Sequence, residues 1–226
     1  MMFLYEMHLH TYPTSGGGAP IEEHIPVLME RGYQGCVITN HFYNGDTRVH
    51  RALPWRDFVR PYIEDYERAK KFAEHLDFDV LFGIEEQVGG GREILVYGIT
   101  PEFLLSHPEL RHADVPTWAR LVHEAGGVIF QAHPYRNRWY ISTPGPHPDL
   151  AHLDGIEVYN AGNEPLWNES AKKLADEKGL ACIGGSDGHS VNSAGLSGIA
   201  AKERIRNNDD LIRILKSGEY VVLYGD

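Results

Sequence analysis

Five short apolar runs in this chain of 226 residues each end on histidine or carboxylate, and most are separated by a stretch with helical spacing. The first, Phe-Leu-Tyr-Glu-Met from Phe3, runs into His8-Leu9-His10. Gly35 to Thr39 runs into Asn40-His41, and Asp79 to Ile84 into Glu85. Val128 to Gln131 leads to Ala132-His133-Pro134, and Leu180 to Gly184 to Gly185-Ser186-Asp187-Gly188-His189. Strand, loop and helix in recurrent order point to a parallel-sheet α/β fold. The number of strands suits a barrel better than an open sheet. No Gly-x-Gly-x-x-Gly follows the first strand, so the usual reason to expect a dinucleotide-binding sheet is missing.

The helical segments can be placed from their stripes and punctuation. Pro20 opens a helix carrying Ile21, Ile25, Leu28 and Met29, and Gly32 closes it. Pro61 opens another, with Tyr62, Tyr66, Ala69, Ala73 and Leu76 on one face. Pro116 to Ala125 is a third. Asn163 is placed to cap a fourth, which reaches Lys178 and stops at Gly179. Asn208 to Ser217 is the last helix and Tyr220 to Leu223 the last strand. Gly155 to Tyr159 is a further strand. Glu93 to Gly98 lies only a few residues beyond Glu85, across Gly89-Gly90-Gly91. A parallel crossover needs about a dozen residues, so this pair is expected to be a hairpin that brings Glu93 beside Glu85. No repeat, linker or low-complexity tract divides the chain, and a single domain over residues 1–226 is expected.

In a parallel barrel the ends of the strands share one rim, where active sites are built. Alternation puts His8 and His10 on one face of their strand. A lone His-x-His is a weak signal, and two polar residues on a wet strand face would read the same. Histidines and carboxylates from five strand ends meeting at one rim instead describe a polynuclear metal site with mixed nitrogen and oxygen ligands. The chain has 13 histidines, so 13 − 5 = 8 lie outside these motifs. Those, among them His24, His75, His107, His123 and His152, are assigned no role.

The motifs, taken together, resemble the PHP (polymerase and histidinol phosphatase) superfamily. The resemblance rests on Glu6-Met7-His8-Leu9-His10, Ile38-Thr39-Asn40-His41, Gly83-Ile84-Glu85 with Ile94 to Gly98, Ala132 to Arg136, Glu157-Val158-Tyr159-Asn160 and Gly184 to His189, and it spans nearly the whole chain. It implies a distorted (β/α)7 TIM-like barrel, the PHP fold, with two or three divalent ions at the strand ends: zinc, manganese or iron. By the family pattern His8, His10, Glu85 and Asp187 hold one ion. Glu85 bridges to a second, shared with His133 and Glu93, and His41 and His189 belong to a third. Three departures stand out. Glu93 occupies a position where the family often has histidine. Thr11 to Gly18 offers only hydroxyls such as Ser15 to the third site. Asn40 replaces a common aspartate, which is expected to alter a hydrogen bond behind the ligands.

The activity implied is hydrolysis of a phosphate ester by metal-activated water, with Glu85, His189 and His41 as catalytic residues. No Gly-x-Ser-x-Gly or cysteine-centred signature offers a protein nucleophile. Arg136 can fork onto a phosphate, or hold its loop in a buried ion pair; Asn160 can touch substrate or serve as a turn residue. Arg48 and Arg51 can supply anion contacts but are expected to be solvated loop residues, Trp139 and Tyr140 can line a pocket mouth but are expected to pack in core or loop, and Glu157 is expected to be structural. Two rival readings are a metallo-amidohydrolase acting on C–N bonds and a metal-binding PHP domain without catalysis. The first usually recruits a carboxylated lysine, and no lysine ends a strand here.

Composition narrows the partners. The formal charge is 21 − 32 = −11 with no basic arm, which argues against an extended grip on nucleic acid. A small phosphorylated substrate is expected, and a short oligonucleotide stays open, because bound cations reverse the local field. No apolar run approaches the ~20 residues of a membrane span. Cys36 and Cys182 sit in apolar runs, as core residues rather than a disulfide pair. A cytoplasmic location is expected.

Overall fold

The computed structural model describes residues 2–225. In chain order its elements are β1 (Phe3–Leu9), the two-residue strands β2 (Thr11–Tyr12) and β3 (Ala19–Pro20), α1 (Ile21–Glu30), β4 (Tyr33–Ile38), α2 (Trp55–Ala73), β5 (Asp79–Gln87), β6 (Glu93–Tyr97), α3 (Pro101–Ser106), α4 (Val115–Glu124), β7 (Val128–Gln131), β8 (Gly155–Asn160), α5 (Pro165–Lys178), β9 (Ala181–Gly185), β10 (Gly198–Ala201), α6 (Asn208–Ser217) and β11 (Tyr220–Leu223). Nine strands form one sheet in the order β11-β10-β1-β4-β5-β6-β7-β8-β9. β1, β4 and β5 pair in parallel, as do β7, β8 and β9. β6 runs against both neighbours.

Beyond β9 the sheet curls back onto β1. Gly188 N donates to His8 O at 3.1 Å, and His10 N donates to Gly188 O at 2.9 Å. Seven strands, β1, β4, β5, β6, β7, β8 and β9, thus form a nearly closed ring, the barrel expected from the sequence. It is distorted because β1 divides its outer edge. The upper end meets the loop after β9, while Phe3 to Tyr5 pair antiparallel with β10. β10 was not legible in the sequence, since Gly-Ile-Ala-Ala has one β-branched residue, no aromatic and a glycine at its start.

The β5–β6 hairpin forms as expected, with Gln87 opposite Glu93 and Glu85 opposite Leu95. The two glutamates are therefore diagonal neighbours at one rim. Helix α2 differs from the expectation: it starts at Trp55, and Pro61 lies inside it. Its buried face runs through Trp55, Phe58, Val59, Tyr62, Ala69 and Ala73, so burial of that stripe offsets the one backbone hydrogen bond that Pro61 cannot donate. Leu76 lies beyond the helix and is exposed. Helix α4 starts one residue early, capped by Asp114, whose Oδ1 accepts from Thr117 N at 2.9 Å. Glu164, not Asn163, occupies the cap position of α5, because the Asn163 side chain is engaged by Arg136 and Asn168. Gly179 ends α5 at φ 65°, as its sequence position suggests.

Helices α2 to α5 cover one side of the sheet through Phe42, Phe58, Trp118 and Val122. A second cluster takes Tyr5, Met7, Val37, Leu81, Leu95, Phe130 and Ile183 from the ring strands and is capped by Leu211, Ile214 and Leu215 of α6. The apolar filling occupies one end of the ring and leaves the other rim to polar groups.

Candidate metal centre

All eight residues of the expected ligand set converge at that rim. His8 Nε2 lies 3.2 Å from Glu85 Oε1 and 3.6 Å from Asp187 Oδ1. His10 Nε2 is 3.4 Å from Glu85 Oε2 and 3.1 Å from Asp187 Oδ1. His133 Nε2 is 3.1 Å from Glu85 Oε1 and 3.4 Å from Glu93 Oε2. His41 Nδ1 faces Glu85 Oε2 at 2.8 Å and Glu93 Oε1 at 3.9 Å. His189 Nε2 is 3.4 Å from His41 Nε2. Glu85 is the centre of the set, touching four imidazoles.

Several of these atoms are buried without a well-directed hydrogen bond, even where, as between His41 Nδ1 and Glu85 Oε2, they stand close together. His8 Nε2, His10 Nε2, His41 Nδ1 and Glu85 Oε2 have no hydrogen-bond partner. Such groups cost free energy unless something binds them, and imidazole nitrogens with carboxylate oxygens suit a divalent cation. Ligand atoms within 4.8 Å of one another fall into four groups: His8, His10 and Glu85; His8, His133 and Asp187; His41, Glu85 and Glu93; and His10, His41 and His189. This partly redistributes the set expected from sequence. His41 approaches Glu85 and Glu93 as well as His189, and His10 approaches the third position.

The backbone is also strained here. His133 (φ 25°) and Asp187 (φ 53°) are the non-glycine residues with positive φ among those described. Each costs about 1–3 kcal/mol and persists only where the surroundings enforce it.

Other groups hold the rings in place. Glu157, expected to be structural, accepts from His133 N at 2.9 Å and hydrogen-bonds His8 Nδ1 at 3.0 Å. This fixes His8 with Nε2 turned toward Glu85. Glu6, fully buried, accepts from His8 N, Ser186 N and Gly195 N at 2.9–3.0 Å and so ties β1 to the Asp187 loop. His189 Nδ1 is 2.9 Å from Asp187 O, leaving Nε2 toward the cleft. Arg136, expected either to fork onto a phosphate or to hold its loop in a buried ion pair, pairs with Asp187 Oδ2 at 2.6 Å and donates to Asn160 Oδ1 and Asn163 Oδ1, both at 2.9 Å. Asn160 also donates to Glu157 Oε2 at 2.9 Å. Sequence reasoning missed Glu6 and the positioning side of Glu157, because alternation does not say which strand carboxylate reaches a backbone N–H.

The electrostatics are those of carboxylates and imidazoles crowded together out of water. Burial, reinforced by Glu85, pushes the Glu93 carboxyl up to about 8. For His8, burial works against the charged form, but Glu85, Asp187 and Glu157 override it and raise its pKa. Burial and the neighbouring His41 and His189 hold His10 well below the usual imidazole range.

Next to Glu85, Glu86 is fully buried. It accepts from Asn44 N at 3.0 Å and Asn44 Nδ2 at 2.6 Å, and burial pushes its carboxyl up to about 8. Its folded pKa therefore exceeds the ordinary 4.5. The folded protein keeps a proton that the unfolded chain has lost, and stability falls as pH rises from about 4.5 toward 8. Glu86→Gln keeps the acceptor oxygen. In metal-free protein it is expected to shrink this fall by one proton and to stabilise at pH 8 by a few kcal/mol, on the order of 1.4 per pH unit. Urea unfolding at pH 5, 6.5 and 8 checks this, and an unchanged slope would refute it.

The rim opens into a cleft of about 490 Å³ lined by His41, Asn44, Gln87, Glu93, Arg136, Trp139, Tyr140, Asp187 and His189. Trp139 is almost wholly exposed rather than packed. A larger groove of about 740 Å³ between α5 and the C-terminal segment carries none of the converging groups.

Comparison with known proteins gives the following. A family model described as PHP-associated matches residues 165–220. The fold is similar to that of a two-domain protein from Bacteroides vulgatus ATCC 8482 containing a predicted PHP-like metal-dependent phosphoesterase (TM-score 0.70, 14% identity, 100% of this chain and 65% of that one). The chain has the PHP fold. It spans about two thirds of the length of that PHP-like protein, just under at 65%. The same fold is found in the lesion-specific endonuclease PfuEndoQ from Pyrococcus furiosus (TM-score 0.63, 11% identity, 98% of this chain and 58% of that one). It also occurs in an amidohydrolase from Chromobacterium violaceum (TM-score 0.62, 15% identity, 96% and 97%). No curated protein matches the sequence. Among the described residues, no helix is long and apolar enough to cross a membrane.

Proposed function

We propose that the chain is a metal-dependent phosphoesterase. The observation that carries this reading is the convergence of unpartnered, buried His8 Nε2, His10 Nε2, His41 Nδ1 and Glu85 Oε2 on one another. His8, His10, Glu85 and Asp187 would hold one divalent ion. Glu85, Glu93 and His133, with His41 in reach, would hold a second, and His10, His41 and His189 would define a third position. Zinc, manganese and iron all suit this donor set. Bound there, the ions supply Lewis-acid charge to a phosphate ester and lower the pKa of the attacking water.

The chain's own residues then do three things. Glu85 orients four imidazoles at once. His189, partly exposed in the cleft, and His41 beside it are placed to pass a proton to the leaving oxygen. Arg136, fixed by Asp187 and two asparagines, presents positive charge in the cleft wall, where the phosphate would lie, and Asn160 holds it there. The size of the cleft, about 490 Å³, supports a small phosphorylated metabolite or the end of a short oligonucleotide as the substrate.

C–N bond hydrolysis is the second reading, favoured by likeness to the amidohydrolase from C. violaceum; among the described residues no lysine lines the cleft. Stripping the protein of metal, reloading with Zn, Mn or Fe, and assaying phosphomonoesters, phosphodiesters, short oligonucleotides and amides separates the readings. Phosphate release should vanish with chelation and return with metal. Two ions per chain should be retained through dialysis, with the third, lacking a carboxylate, retained only when inorganic phosphate is present. Amide hydrolysis without phosphate release, or metal binding without any hydrolysis, would overturn the proposal.

A further inference from the structure

Some rings at the centre are held through the nitrogen turned away from it, His8 by Glu157 and His189 by Asp187 O, and for His10 the engaging group is a hydroxyl. His10 Nδ1 lies 3.2 Å from Ser15 Oγ, in the loop after β2. That oxygen also accepts from His41 N at 2.8 Å and donates to Asn40 Oδ1 at 3.0 Å. A hydroxyl has one hydrogen and two lone pairs. With its hydrogen given to Asn40 and one lone pair given to His41 N, the remaining lone pair can only accept. His10 Nδ1 must then carry the proton, and Nε2 is left bare toward Glu85 and Asp187.

What fixes the direction of this chain lies further back, on helix α2. Asn40 could present either end of its amide to Ser15. Its Nδ2 faces Thr14 Oγ1 at 2.5 Å, Thr11 Oγ1 at 2.7 Å and Asp65 Oδ2 at 2.9 Å, all acceptors toward it because Asp65 takes both hydroxyl hydrogens, and its Oδ1 accepts from Thr11 N at 2.6 Å. Flipping it would set the amide oxygen against a carboxylate and the NH2 against a backbone N–H. Asp65 Oδ2 also accepts from the hydroxyls of Thr11 at 2.5 Å and Thr14 at 3.2 Å, and Arg68 holds Oδ1 at 2.6 Å. Asp65, Asn40, Ser15, Thr11 and Thr14 are all buried.

We infer that Asp65 is a remote positioning residue that sets the tautomer of His10 through Asn40 and Ser15. The inference rests on the reading of His10 as a metal ligand. It also accounts for asparagine at position 40: an aspartate there would face Asp65 at hydrogen-bond distance, carboxylate against carboxylate.

Two measurements test it. Ring 15N spectra of metal-free protein with labelled histidine, His10 being assigned through His10→Gln, report the tautomer directly. The expected state is protonated at Nδ1; a proton on Nε2 would overturn the inference without any variant. Divalent-metal affinity, measured by competition with a chelator, follows the relay. Ser15→Ala should mix the tautomers and weaken the tightest ion about 10–100-fold, the usual effect of losing a partner behind a ligand. Asp65→Ala alone frees the Asn40 amide to flip and should weaken ion binding similarly. Adding Asn40→Asp restores the direction, because a carboxylate at position 40 offers Ser15 only acceptor oxygens whichever way it turns, so the double variant should recover the tautomer and most of the affinity. A double variant no better than Asp65→Ala, with both proteins folded by circular dichroism, would refute the relay. Wild-type protein that binds no divalent ion would remove the metal reading instead, while the ring spectrum still decides the relay.

Discussion

Glu85→Ala is expected to remove metal and activity together while the chain stays folded. The side chain is 1% exposed and lies within 3.4 Å of His8, His10, His41 and His133. Its two oxygens can serve two ions, which no imidazole can do, so its loss opens both principal positions. Metal-assisted stabilisation of a phosphoryl transition state is worth several kcal/mol. At 1.36 kcal/mol per decade, a loss on the order of 10³-fold or more in kcat/KM is expected. Metal content per chain should fall below one ion. His75→Ala, a change at an exposed histidine far from the rim, should alter neither quantity. Folding should survive, because removing Glu85 also relieves the repulsion that it exerts on the buried Glu93 carboxyl. Equal loss from both variants, or an unfolded Glu85→Ala protein, would identify a stability effect mistaken for a site.

The parts of the fold and centre that were legible are those where local chemistry and position coincide. A polar residue that ends an apolar strand has nowhere to go but the rim, so His8, His10, His41, Glu85, His133, Asp187 and His189 could be grouped without any tertiary information. The hairpin was legible because three glycines cannot make a parallel crossover, and it placed Glu93. The parts that were not legible depend on packing partners. Asp65 lies on a helix 25 residues beyond Asn40, and nothing local marks it as the group that orients Asn40. The early start of α2 at Trp55 was hidden by Pro61, since proline normally opens a helix; here the buried aromatic face outweighs one lost hydrogen bond. Glu157 looked like any strand carboxylate until β8 and β1 came together. Metal occupancy behaves in the same way: residue types suggest ligands, while shared distances decide how many ions fit.

One aromatic side chain connects the apolar packing to the centre, and its removal should reveal the coupling. Phe42 follows His41 and is fully buried, its ring 5.2–6.3 Å from those of Trp55, Phe58, Tyr62 and Trp118. Its N–H donates to Glu85 O at 2.7 Å, and Tyr62 Oη donates to His41 O at 2.8 Å. The aromatic cluster thus sets the distance between the His41 and Glu85 backbones. Phe42→Ala leaves a large cavity in a close-packed region and should cost about 3–5 kcal/mol, or roughly 10 °C in melting temperature for a chain of this size. Phe42→Leu, which refills most of the space, should cost about 1–2 kcal/mol. Urea unfolding of metal-free protein measures both. Leu211→Ala in α6, at the opposite end of the ring, should cost about 2–5 kcal/mol as well. The variants should separate in metal affinity. Phe42→Ala frees the His41 turn and should weaken binding several-fold, whereas Leu211→Ala should leave it unchanged when measured below the melting transition. Unchanged affinity in Phe42→Ala would mean that the His41 turn is held by its hydrogen bonds alone, and that the aromatic cluster stabilises the fold without positioning the centre.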